Sequence, residues 1–182
     1  MNRYCVFLRG INVNGISIKM EALQQEFLDM GYKDAKTVLA TGNVCITLPE
    51  GDAPEAHKAK IEQGLSSAFS YDAHVMLRSA EEVCALLESA ETVDAPAGCH
   101  IYALLIEERD AVLSLKAAFE AAARGPEERF LPLEQDALWI VPKGETLKTV
   151  FGAKVLGSKR YKSVLTSRNI NTLVKVDKLL RN

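Results

Sequence analysis

His100-Ile-Tyr-Ala-Leu-Leu-Ile106 reads as a β-strand, and the elements on either side of it decide the fold. Downstream, Val112, Leu115, Phe119 and Ala122 recur at helical spacing up to Gly125. Arg129-Phe-Leu-Pro-Leu133 and Ala137-Leu-Trp-Ile-Val141 then form a hairpin pattern, with Glu134 to Asp136 in the turn. Leu147, Val150, Phe151 and Val155 mark a second helix despite Gly152, and Ser163-Val-Leu-Thr166 is a short closing strand. The order is β-α-β-β-α-β, the split βαβ arrangement of ferredoxin-like domains.

Upstream the same order is already complete. Tyr4-Cys-Val-Phe-Leu8 is an apolar run, a strand buried on both faces. Met20, Leu23, Phe27 and Met30 share one helix face that stops near Gly31. Thr37-Val-Leu and Val44-Cys-Ile-Thr47 are strands joined by Ala40-Thr-Gly-Asn43. Pro54 opens a helix that turns Ile61, Leu65, Ala68 and Phe69 inward. His74-Val-Met-Leu-Arg78 is the last strand of the set. Ser79 and Glu82 have the spacing of a capping box, followed by Val83, Leu86, Leu87 and Ala90 as a buried stripe. Thr92 to Gly98, with Pro96, is linker-like. The expected class is therefore α+β: two tandem ferredoxin-like (βαββαβ) units at 1–78 and 99–182. A connecting helix and linker fill 79–98, and a C-terminal helix follows the second unit.

That last helix is expected to start at Thr166, which would cap it. Ile170, Leu173, Val174, Val176 and Leu180 form its apolar stripe, and Arg168, Asn171, Lys175 and Lys178 its opposite face. A helix start beside an arginine suits an anion, because the free N–H groups and the helix dipole both favour negative charge. Asn169, Asn171 and Thr172 add hydrogen-bonding groups that favour helix ends over plain helix surface. The plainer alternative is a solvated helix face.

Charge is divided along the 182 residues. From Lys143 onward, 10 Lys and Arg face only Glu145 and Asp177, a net of +8, while the total of −2 leaves −10 on the preceding residues. An acidic body with a basic end either attracts a polyanion or neutralises itself by internal packing. The four cysteines, Cys5, Cys45, Cys84 and Cys99, lack metal-ligand spacing and are expected to be buried free thiols. The chain opens directly into a strand and contains no apolar run of about 18 residues. A cytoplasmic location is the expectation.

No motif marks a reaction. The loop Arg9-Gly-Ile-Asn-Val-Asn-Gly15 stands between strand and helix, where backbone N–H groups can face a ligand, but it matches neither phosphate-binding fingerprint. Gly10 and Gly15 have a turn role as their plain alternative, and Gly42-Asn43 is first of all a hairpin turn. His57, His74 and His100 show no metal pairing, no G-x-S-x-G elbow exists, and Cys84 has no neighbouring sign of thiolate activation. Trp139, the one aromatic that could stack a base, is expected in the core.

Leu8-Arg-Gly-Ile-Asn-Val-Asn-Gly15, Thr41-Gly-Asn-Val44 and Thr166-Ser-Arg-Asn-Ile-Asn-Thr172 with Lys175 together resemble a bacterial family of uncharacterised proteins, domain-of-unknown-function family 1697. Asn14 and Ile170 depart from it, standing where glycine and an aromatic are usual. The family is similar to duplicated ferredoxin-like proteins and implies no activity or catalytic residue. It does imply that the three stretches belong to one site: Arg9, Gly10, Asn12, Gly15, Gly42, Asn43, Arg168, Asn169, Thr172 and Lys175. The expected function is binding of a phosphate-bearing or other anionic ligand, nucleic acid included, without metal or cofactor. In that picture Arg168 and Lys175 carry the charge, and Asn169 and Asn12 orient the ligand. Two alternatives stand beside it: an enzyme on a small anionic metabolite, with Arg9 and Arg168 as electrostatic stabilisers, and a regulatory or homo-oligomeric module with an acidic partner.

Overall fold

The computed structural model describes residues 2–11 and 17–181. It contains two four-stranded antiparallel sheets with the same internal order. In the first unit, β1 (Asn2–Arg9) lies between β3 (Asn43–Leu48) and β4 (His74–Ser79), and β2 (Lys36–Thr37) edges β3. In the second, β5 (Cys99–Ile106) lies between β7 (Ala137–Pro142) and β8 (Leu165–Asn169), with β6 (Arg129–Pro132) at the edge. Both are the ferredoxin-like arrangement that the element order implied.

The first unit runs through Ala85 and takes up the chain again from Thr172; the second is Leu86–Asn171. Each has its own core. In the first, Val6, Leu8, Val44, Ile46 and Val75 alternate onto one sheet face. There they meet Leu23 and Phe27 of α1 (Met20–Asp29) and Ile61 and Leu65 of α2 (Pro54–Phe69). Pro54 occupies the first turn of α2, where its missing N–H costs nothing. Ala68, expected inside, is exposed. In the second, Leu104, Ile106, Trp139 and Val141 meet Val112, Leu115 and Phe119 of α4 (Arg109–Ala121). Phe151 packs edge-on against Phe119 at 5.0 Å and against Trp139 at 5.7 Å. Trp139 is a core residue whose indole N–H donates to Glu128 Oε1 at 3.0 Å.

The capping box is present as its spacing required. Ser79 N donates to Glu82 Oε2 at 2.7 Å and Glu82 N to Ser79 Oγ at 3.2 Å, which opens α3 (Ala80–Glu91).

Two expectations need correction. The helix drawn through Leu147 to Val155 is a single wide π-helical stretch, Phe151–Leu156, followed by a 3₁₀ turn at Lys159–Tyr161. Leu147 lies outside it and is 82% exposed. Gly152 shows why the backbone departs from a regular helix. A Cβ there would stand 1.8 Å from the Thr146 carbonyl oxygen and 2.9 Å from Trp139 Cη2, so the chain is drawn against the core where only glycine fits. The last strand, in turn, extends to Asn169, and α5 is Ile170–Leu180. Thr166 is therefore a strand residue rather than a cap, and Arg168 pairs with Ala103 in the sheet.

Candidate functional site

The residues singled out in the sequence fall into both units. Arg9, Gly10, Gly42, Asn43, Thr172 and Lys175 belong to the first, Arg168 and Asn169 to the second. Asn12 and Gly15 lie outside the described residues.

In the first unit the Thr41-Gly-Asn turn is built from inside. Asn43 is fully buried, and its Nδ2 donates to the Val38 carbonyl at 2.8 Å and to Thr41 Oγ1 at 2.9 Å. These bonds hold the hairpin between β2 and β3, where Leu39 (φ 59) and Gly42 (φ 69) both turn left-handed. Gly42 also brings backbone close to its neighbours: its carbonyl accepts from Leu8 N at 2.8 Å, and a Cβ would fall 2.4 Å from Ile11 Cδ1. The turn thereby ties the β2–β3 hairpin to the end of β1. Arg9 closes β1 and is half-buried, and burial lowers its guanidinium below the ordinary arginine value. Gly10 (φ 75) continues the chain with open space where a Cβ would be.

In the second unit Arg168 does not share a solvent face with Lys175. It is 8% exposed, and its Nη1 donates to Thr166 Oγ1 at 2.9 Å and to the Ser167 carbonyl at 2.8 Å. Asn169 starts α5, accepting from Asn171 N through Oδ1 at 2.9 Å. Asn171, Lys175 and Lys178 are exposed on the helix.

What does face solvent in the second unit is the segment from β7 to β8. Lys143, Lys148, Lys154, Lys159, Arg160 and Lys162 are all exposed there. Glu145 is the one acid among residues 143–169 and is paired with Lys148 at 2.7 Å. The π-helix and the 3₁₀ turn anchor this segment through buried Phe151, Leu156 and Tyr161, leaving the cations outside.

The thiols are all free, as expected, but only Cys5 and Cys45 are buried. These two stand opposite each other in register, and a hydrogen bond with Cys5 holds the Cys45 thiol below its ordinary value. Cys84, read as having no activating neighbour, receives a contact from Arg181 Nη2 at 3.2 Å.

One group of side chains escaped the sequence reading. Tyr32 and His57 meet on a cavity of the first unit lined also by Met30, Leu48 and Lys60, and Asp52 bonds to His57. Nothing in their spacing signals it, because one residue follows α1, one precedes α2 and one is inside α2.

Comparison with known proteins follows the architecture. Residues 1–135 match the family described as "Protein of unknown function (DUF1697)". The chain belongs to that family. The matched span includes the Arg9 loop and the Thr41–Asn43 turn and ends before Thr166. No curated protein matches. Among solved structures, the chain is similar to the conserved bacterial protein SP0830 from Streptococcus pneumoniae, with 22% identity and a TM-score of 0.76. That match covers 100% of this chain and 99% of the other, so the tandem fold is shared from end to end. Among the described residues no helix is long and apolar enough to cross a membrane.

Proposed function

We propose that this DUF1697 protein binds a phosphate-bearing or otherwise anionic ligand, nucleic acid among the candidates, on the basic surface of its second unit. The supporting observation is the exposed run of six cations between β7 and β8, with one acid among residues 143–169 and that acid already paired. Exposed, strongly hydrated ammonium groups suit phosphates better than buried recognition of a particular base, because such contacts position without reading sequence. Arg168 enters this reading as a support rather than a contact. Its bonds to Thr166 and Ser167 brace β8, at the end of the basic segment.

Binding of this kind releases counterions and weakens steeply as salt rises. Titrating the full chain with a single-stranded oligonucleotide, and separately with inorganic phosphate, across ionic strength is the direct test. Binding at low salt that falls with a log–log slope, reduced by about one for each lysine or arginine removed, is the expected result. Charge reversal at Lys154, Lys159 and Arg160 together is expected to abolish it. No binding to either probe at low salt would end the proposal.

A further inference from the structure

The cavity of the first unit has a volume of about 480 Å³, in the range of small-molecule sites. Its wall divides chemically. Met30, Leu48 and Pro49 supply an apolar side, and Tyr32, His57 and Lys60 a polar one. The polar side is linked from the interior outward. Tyr32 is 5% exposed, and its hydroxyl lies 2.9 Å from His57 Nδ1; His57 Nε2 lies 3.0 Å from Asp52 Oδ2, which is half exposed. Since Asp52 only accepts, it fixes the proton on Nε2 and turns Nδ1 toward the phenol. Burial pushes the Tyr32 phenol up to about 12, so it stays a neutral donor at any physiological pH.

Lys60 completes the arrangement. Its Nζ donates to the Met30 carbonyl at 2.6 Å and lies 5.3 Å from the centre of the Tyr32 ring. A lysine uses one of three donors on that carbonyl, and the cavity beside it holds the phenol and the imidazole. With the phenol O–H and the imidazole N–H already engaged, the remaining N–H groups of Lys60 are what the wall offers to a negative group. Glu50, also on the wall, opposes a second negative charge.

We propose that this cavity is a binding site for a small organic monocarboxylate, with its carboxylate on Lys60 and its hydrocarbon part on Met30, Leu48 and Pro49. The site is separate from the basic segment and stands or falls without it. The apolar wall selects against inorganic phosphate, and the single cation with a nearby Glu50 selects against dianions. Sequence spacing could not show the site, because its members meet only after α1 and α2 pack.

The probes are hexanoate and 1-hexanol, alike in size and differing in charge, titrated into the isotope-labelled full-length protein and followed by NMR. Hexanoate is expected to shift the Gly31, Tyr32 and Lys60 signals saturably and to bind about tenfold more tightly than the alcohol, the ratio expected of one charge-assisted contact. Lys60→Met, a change at an exposed position, is expected to cut hexanoate affinity about tenfold while leaving hexanol unaffected. Equal affinity for the two probes would overturn the proposal. So would shifts confined to residues outside the cavity, absence of saturable binding by either probe, or unchanged hexanoate affinity in Lys60→Met.

Discussion

The two units solve one topological problem with different second helices. Between β3 and β4 the first unit uses α2, a regular helix of 16 residues that buries Ile61 and Leu65. Between β7 and β8 the second uses a six-residue π-helix and a three-residue 3₁₀ turn. Sheet order is the same in both. A sheet with this order needs something apolar over one face, and Phe151, Leu156 and Tyr161 meet that need with fewer residues in regular structure. The long helix contributes His57 and Lys60 to a cavity. The short one leaves the surrounding chain as exposed, lysine-rich backbone. The lesson is that the second helical position of this fold can vary widely once the apolar cover is supplied, and the two proposed functions occupy that variable position.

Two glycines test the comparison most sharply. Gly152→Ala places a methyl 1.8 Å from backbone that cannot rotate away, and a loss of about 3 kcal/mol or more is expected from overpacking. Gly64→Ala in α2 meets Met30 Sδ at 2.4 Å, the far end of a flexible side chain. There the gain in helix propensity, about 1 kcal/mol, offsets the displaced thioether, and the net change is expected near zero. Chemical denaturation of the two variants checks both. Equal losses would show that the two helical positions are packed alike, contrary to the contrast drawn above.

A smaller effect tests a similarity. Each unit's last strand runs straight into a capped helix: Ser79 with Glu82 at α3, and Asn169 with Asn171 at α5. Ser79→Ala and Asn169→Ala are each expected to cost about 1 kcal/mol in denaturation midpoint terms. A much larger loss at Asn169 would assign it more than capping.

The smallest effect at neutral pH belongs to a tyrosine of the first unit whose larger effect appears at high pH. Burial raises Tyr32 and Tyr71 to about 12. A phenol raised in the folded state is lost first from the unfolded chain, near pH 10. Its contribution is therefore complete below about pH 10 and disappears as pH climbs toward 12. The Tyr71 hydroxyl has no hydrogen-bond partner among the described residues, so Tyr71→Phe is expected to change stability at pH 7 by less than about 0.5 kcal/mol. It should also flatten the alkaline loss, as followed by circular dichroism between pH 9 and 12.

The element order was legible because apolar runs and turn residues punctuate both halves, down to Pro54 at a helix start and the Ser79–Glu82 pair. The π-helix was hidden because Leu147, Val150, Phe151 and Val155 have ordinary helical spacing, and only the approach of Thr146 to Gly152 distinguishes the outcome. The end of β8 was hidden for another reason. Thr166 and Arg168 point to the buried side while exposed Ser167 lies between them, so a true two-residue alternation is written in polar letters. Charge was legible as an amount but not as a surface: Arg168 counted among the basic residues and is buried. The Tyr32–His57–Asp52 chain depends on contacts across three separate elements, which no local pattern records.

Membership of α5 in the first unit has a consequence for how the protein is made. Leu173, Val176 and Leu180 are buried, and from Thr172 the chain belongs with residues through Ala85. A ribosome supplies them only after every residue of the second unit. The first unit is therefore discontinuous in the chain, its sheet and core made before the second unit and its last helix after it. Truncation after Asn171 would accordingly remove part of the first unit while leaving the residues of the second whole.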